Sequence, residues 1–138
     1  MLPEGGRPPP HLVRFVELFR KGRYWESHEV LEGPWREGGS AFYHGLILLA
    51  SAWVHVQRGN PHGIDAQLRK ALQALEGVPS PYLGIDVAAL RGAACHGREL
   101  VARHRDAAEP EGPWERLVPP PDLVLDPRLL RGDEPEIA

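Results

Sequence analysis

The segment spanning residues 41–58 constrains the fold more than any other part of this sequence. It is apolar nearly all round a helical circumference, and small residues lie between the large ones. A helix without a polar face is not stable at a surface and needs other helices around it. The sequence therefore predicts a central, buried helix here. Its large apolar side chains include those of Phe42, Leu46, Ile47, Leu48, Leu49, Val54 and Val56.

Four other segments carry apolar residues along one side only, as expected of helices that pack around such a centre. No convincing strand pattern or repeat accompanies them. We therefore predict an all-α fold, a compact bundle of about five helices around the central one. The other four helices are predicted from His11 to Lys21, through the motif Tyr24–Glu32, from Asn60-Pro61 to about Leu75, and from Asp86 to about His104.

Local signals predict where several helices start and stop. Gly22 and Gly59 are expected to end helices, and Ser40 and Asp86 to cap the starts of two others. The second helix is expected to end or kink at Gly33-Pro34, because a proline lacks the N–H donor and clashes with the preceding turn. Trp35 is then expected to lie just beyond that helix.

Regions rich in proline flank the helices. We predict an extended leader over residues 1–10, a helical bundle domain over residues 11–109, and an irregular Pro-rich tail over residues 110–138 that packs on the bundle. The residues from Arg131 on are expected to fray. The side chains expected to pin the tail are Trp114, Leu117, Val118, Leu123, Leu125 and Leu129.

The composition argues against several classes of function. The net charge is −3 and the pI about 6.2, so the basic excess of a nucleic-acid-binding protein is missing. The sequence shows neither a membrane-spanning apolar run nor a secretion signal, which predicts a cytoplasmic protein without a membrane partner. The single cysteine, Cys95, excludes an intramolecular disulfide, and its Ala/Leu-rich segment predicts a buried, inert thiol. Arg far outnumbers Lys, as in proteins from GC-rich genomes and some thermophiles.

The second helix carries the densest group of chemically active residues. His28 and Glu32 are four residues apart and therefore neighbours on a helix, and Trp25 lies on the same side. Titratable groups on the aromatic side of a helix are costly to bury unless they are paired or bound to something. Glu26 and Glu29 point away from this side and are expected to be solvated or paired with Arg.

The central helix offers two further imidazoles to the same place. His44 and His55 are eleven residues apart, about three helical turns, so they share a face, with Leu48 and Ser51 between them. If that face meets the second helix, a semi-buried pocket results that is suited to a small molecule or a divalent metal ion. The predicted pocket residues are Tyr24, Trp25, His28, Glu32, Trp35, His44 and His55.

Other interpretations of the same residues remain open. In a metal-dependent hydrolase, His28, Glu32 and His55 hold the ion and Glu29 or Glu32 moves protons, in partial likeness to the metalloprotease motif His-Glu-x-x-His. His28 or Glu32 can instead act as a general acid–base without metal. In a non-catalytic interaction or assembly module, including a homo-oligomer, the His28–Glu32 pair only stabilises the fold. The other histidines are expected at the surface: His11, His62, His96 and His104.

Several blocks, in order, resemble a small bacterial and archaeal family known as domain of unknown function 309. The family signature His-x-x-x-Glu-x-x-Trp is matched by His28, Glu32 and Trp35, although Gly33-Pro34 departs from it. The resemblance spans roughly residues 12–90 and implies a compact helical bundle in which His55 joins the signature residues, but it implies no established activity. The other matching blocks are Tyr24-Trp25-Glu26, Gly45-Leu46-Ile47, Gly59-Asn60 and Gly84-Ile85-Asp86.

Overall fold

Five long helices, each packed on the next in the chain, account for most of the structure. The computed structural model describes residues 8–106 and 113–131, and within these ranges it contains helices but no strand, only an isolated bridge between Tyr82 and Ile85. The all-α prediction is therefore confirmed. The helices are α1 (Pro10–Arg20), α2 (Tyr24–Gly38), α3 (Ala41–Gln57), α4 (Pro61–Leu75), α5 (Val87–Arg105) and the short α6 (Trp114–Leu117), followed by a 3-10 turn at Pro127–Leu129.

Side chains cap the starts of three helices. Ser40 Oγ accepts from the backbone N–H of Tyr43 at 3.1 Å and so caps α3. Asn60 and Asp86 do the same for α4 and α5. Each cap satisfies one of the backbone donors that a helix start leaves unpaired, which fixes where the helix begins.

The central position of α3 follows from its composition. It packs between α2 and α4, and its interior-facing residues are almost completely buried. Only a narrow stripe, spaced by four, three and four residues, is left half-buried: His44, Leu48, Ser51 and His55. This stripe is what α3 contributes to the surface between its two neighbours.

The predicted end of α2 at Gly33-Pro34 is wrong. The helix runs on through Pro34 to Gly38, and Gly39 ends it in a left-handed conformation with φ of 67°. A proline inside a helix costs one hydrogen bond and some crowding. Packing on α3 offsets this cost on both sides, because Leu31 before the proline is buried and Trp35 after it packs on the core. Trp35 therefore stays on the same helix as His28.

The residues after α5 that the structure describes lie against the bundle. Val118 and Leu123 are buried, and the Val118 carbonyl accepts a hydrogen bond from Trp53 Nε1 at 3.2 Å. Arg20 Nη1 donates to Asp122 Oδ1 at 2.8 Å and to the Leu123 carbonyl at 2.9 Å. The predicted domain limits at residues 10 and 110 remain predictions, since residues 1–7, 107–112 and 132–138 lie outside the described ranges.

Three predictions of burial are wrong, one of them for His104, which is half-buried rather than at the surface. Cys95 is exposed rather than buried, because the inward face of α5 is formed by Leu90, Ala94 and Gly97, and Cys95 lies beside that face. His11 is half-buried rather than at the surface, since its ring packs edge-on against Tyr43 and its Nε2 lies 2.9 Å from the Tyr43 hydroxyl. Within the described ranges, none of the helices is both long and apolar enough to cross a membrane.

Candidate functional site

One stripe along α2 carries the residues that the sequence singles out. Trp25, His28, Glu32 and Trp35 are spaced by three, four and three residues, so they follow one line along the helix. The fully inward line is formed by Tyr24, Ser27 and Leu31, all buried. The first four residues therefore lie at the edge of the core, where a side chain contacts both protein and solvent.

His28 and Glu32 form the predicted pair. Nε2 of His28 lies 3.1 Å from Oε1 of Glu32, and the side chains are 16% and 33% exposed. Arg36 approaches the other carboxylate oxygen, with its Nη2 3.5 Å from Oε2. Glu32 therefore lies between an imidazole and a guanidinium, and its carboxylate can accept a hydrogen bond from the Nε2–H of a neutral His28.

The second ring nitrogen of His28 is the most unusual atom in the structure. Nδ1 is buried and has no hydrogen-bond partner. Among the described residues, it is the one buried side-chain nitrogen or oxygen in this state. With the proton on Nε2, Nδ1 is an acceptor whose lone pair meets no donor. A buried polar atom without a partner costs about 1–3 kcal/mol.

Aromatic rings flank this imidazole on the outside. Trp25 stacks on His28 with 5.2 Å between ring centroids and 25° between planes. Trp25 is also 54% exposed, and the guanidinium carbon of Arg58 lies 5.9 Å from its ring centroid. A large indole left in solvent and contacted by a cation is a common element of ligand and partner recognition.

A second stacked pair joins α2 to α3. Trp35 and His44 lie face to face, with centroids 4.5 Å apart and planes 8° apart. Burial lowers the pKa of His44 below its ordinary value, since the charged ring loses hydration there. The stack thus holds a neutral imidazole with its ring fixed in orientation.

His55 has a different set of partners. Its Nδ1 lies 3.2 Å from Asn60 Nδ2, and Gly63 fits beneath the ring because it has no side chain; a Cβ there would be 2.5 Å from that nitrogen. Burial, and then the charge of Arg58, lower the pKa of His55. These contacts join α3 to the start of α4.

Tyr24 also lies apart from the His28–Glu32 pair. Its ring meets Phe19 edge-on with centroids 4.9 Å apart, and it lines two cavities beside Pro120. Burial, with a further contribution from the charge of Glu115, raises the pKa of Tyr24. The tyrosine therefore belongs to the contact between the bundle and the residues after α6.

The predicted pocket thus resolves into separate groups. The structure brings Trp25, His28 and Glu32 together, and Trp35 together with His44. Across residues 8–106 and 113–131, no group of three His, Cys, Asp or Glu side chains is arranged to hold a metal ion. An ion held by His28, Glu32 and His55 stays a prediction.

The remaining titratable residues have ordinary surroundings. Glu26 pairs with Arg23, whose Nε lies 2.7 Å from Oε1, and Glu29 is exposed, as predicted. His62 and His96 are exposed, as predicted, whereas His104 is half-buried. None of these residues contributes a contact to the stripe on α2 described above.

Sequence reasoning did not identify the cations around the aromatic rings. Arg36 and Arg58 were missed, although Arg36 is four residues after Glu32 and that spacing favours an ion pair. Lys70 was also missed; with His44 it lines a groove between α3 and α4. In the sequence, Lys70 stands out only because lysine is rare in this chain, at positions 21 and 70.

Comparison with known proteins identifies a family over part of the chain. Residues 12–66 match the family described as "Domain of unknown function (DUF309)", which confirms the predicted family; residues 67–90 of the predicted resemblance lie outside the match. The matched segment covers α2 and α3 and therefore includes the His28–Glu32 pair and the Trp35–His44 stack. No curated protein matched the chain.

Proposed function

We propose that this protein binds a small molecule beside His28, on the surface where α2 meets α3. His28 and Glu32 are the polar groups of the site, and the indole of Trp25 is its flat apolar wall. The observation that carries the proposal is the buried Nδ1 of His28, which has no partner within the described residues.

The state of the imidazole supports a recognition role. The 3.1 Å contact between Nε2 and Oε1 of Glu32 favours the tautomer in which Nδ1 presents a lone pair. A ligand with an O–H or N–H group would supply the missing donor and recover the cost of the unpaired atom. The ligand expected here is therefore a small molecule that donates a hydrogen bond and has a flat part to lie on an indole.

A divalent metal ion is the second occupant that the geometry supports. Histidines that ligate metals commonly donate their other ring N–H to a carboxylate, as His28 does to Glu32. A hydrolytic metal site usually needs three protein ligands, and only this pair is in contact. For that reason we place small-molecule binding first and propose no reaction.

Two further expectations belong to this proposal. The protein acts in the cytoplasm, as the sequence indicates, without nucleic acid or membrane as a partner. Self-association through the exposed indole of Trp25 is an outcome that the same experiments would detect as a change in mass.

The test compares bound species in two histidine variants. Native mass spectrometry and elemental analysis of the freshly purified chain should show a species bound at one per chain. That species should be missing from His28→Phe, which fills the same space without the ring nitrogens. It should be retained in His62→Ala, a matched control, because His62 is exposed.

The outcomes separate the alternatives. A bound metal lost in His28→Phe would favour the ion over the small molecule. Unchanged binding in folded His28→Phe would contradict the proposal. An empty wild type together with a His28→Phe variant that is less stable by about 1–3 kcal/mol would show that the pair has only a structural effect, since the variant breaks the contact with Glu32.

A further inference from the structure

His44, the α3 member of the Trp35–His44 stack, also lines a concave surface. It is an open groove of about 490 Å³ between α3 and α4. His44 and Leu48, one turn apart on the half-buried stripe of α3, form one side. Lys70, Gln73 and Ala74, on one face of α4, form the other. The volume is in the range of small-molecule sites.

The polar groups of the groove are mostly hydrogen-bond donors. Lys70 offers an ammonium group, Gln73 an amide and His44 a ring nitrogen, and none of the five lining residues is acidic. Lys70 is exposed and forms no ion pair with any residue in the part of the chain that the structure describes. One uncompensated cation among neutral donors favours a ligand with a single negative charge.

The rest of the lining is apolar. Leu48 and Ala74 supply an apolar floor. The stack on Trp35 fixes the orientation of His44, so little ordering is needed when a ligand arrives. An inorganic anion would leave this floor unused, whereas an organic anion would cover it.

We propose that the groove between α3 and α4 binds a small organic carboxylate, with its charge at Lys70 and its apolar part on Leu48 and Ala74. This goes beyond the site at His28, because the groove is lined by residues of α3 and α4 and uses different polar groups. A polyanion such as nucleic acid is disfavoured, since a single lysine cannot follow a phosphate backbone.

The two lysines of this chain make a direct test. Reductive methylation with ¹³C-formaldehyde keeps the charge and gives one NMR signal for Lys21, one for Lys70 and one for the α-amine, which Lys21→Gln and Lys70→Gln variants assign. Titration with benzoate should shift the Lys70 signal to saturation and leave the Lys21 signal in place. Benzyl alcohol, which has the same ring without the charge, should bind about tenfold more weakly.

Variants locate the binding. In amide NMR spectra, the benzoate response of Leu48 and Ala74 should vanish in Lys70→Gln, persist in Lys21→Gln and return in Lys70→Arg, which restores the cation. His28→Phe should leave the response intact, so a failure of this proposal is distinguishable from a failure of the first one. Three results would overturn the inference. They are linear, non-saturating shifts of both lysine signals, equal NMR shifts with phosphate and with benzoate, and loss of the benzoate response in His28→Phe.

Discussion

Replacing Gly45 with alanine tests how closely α3 and α4 approach. Gly45 is buried in the middle of α3, and a Cβ there would lie 2.4 Å from Cδ2 and 2.5 Å from Cγ of Leu75. Contacts this short require Leu75 to move. Leu75 is fully buried, and its carbonyl accepts from Arg91 Nη1 at 2.9 Å, which ties down that end of α4. The added methyl should therefore force a shift of the helix rather than a change of rotamer.

Two effects of opposite sign decide how far Gly45→Ala changes the free energy of unfolding. Alanine favours a helix interior over glycine by about 1 kcal/mol. An extra methyl in a packed core costs about 1–3 kcal/mol. We expect the clash to win, so that Gly45→Ala lowers the free energy of unfolding by about 1 kcal/mol.

Gly92→Ala is the matched control for this change. Gly92 is an exposed glycine inside α5, and a Cβ there meets nothing within 4 Å. Only the propensity effect remains, so this variant should gain about 0.5–1 kcal/mol. The two variants should thus differ by about 2 kcal/mol in urea unfolding at 25 °C, because they share the propensity effect and only one has the clash.

A double mutant shows whether Leu75 is the cause. In a Leu75→Ala background the space is free, so Gly45→Ala should become stabilising by about 1 kcal/mol. Equal stabilisation by Gly45→Ala and Gly92→Ala in the wild-type background would refute the close approach. So would a destabilisation by Gly45→Ala that persists in the Leu75→Ala background.

Three further changes test other parts of the fold. Pro34→Ala should raise the free energy of unfolding in urea by about 2 kcal/mol, because it restores a helix hydrogen bond inside α2. An unchanged urea midpoint would contradict the cost assigned to Pro34. Trp53→Phe should lower the free energy of unfolding by about 2–3 kcal/mol, since it leaves the buried Val118 carbonyl without its hydrogen bond. Trp25→Phe is the control, because Trp25 is exposed. A smaller loss of stability for Trp53→Phe than for Trp25→Phe would be inconsistent with the bond between Trp53 and Val118. Burial lowers the pKa of His44 below 6.5 in the folded state, so the unfolded chain binds the proton more readily and the free energy of unfolding should fall as the pH drops below about 6.5. His44→Phe should therefore reduce the change in urea midpoint between pH 7 and pH 5. An unchanged pH dependence in this variant would refute His44 as its source.

The limits of the helices could be predicted because the signals are local. Ser40, Asn60 and Asp86 each accept from a backbone N–H three residues later, an interaction that depends on the neighbouring sequence alone. The continuation of α2 through Pro34 could not be predicted in this way. It depends on the packing of Leu31 and Trp35 against another helix, and that energy comes from residues distant in the sequence.

The same difference between local and distant contacts applies to the candidate site. Neighbours on one helix are fixed by its period, so the contacts of His28 with Trp25 and Glu32 followed from the sequence. Contacts between helices depend on the register of α2 on α3, which no local pattern sets. Trp35 stacks on His44 near the turn between these helices, whereas His55, at the other end of α3, contacts Asn60 at the start of α4. The unpaired Nδ1 of His28 is therefore the atom on which tests of ligand binding should concentrate.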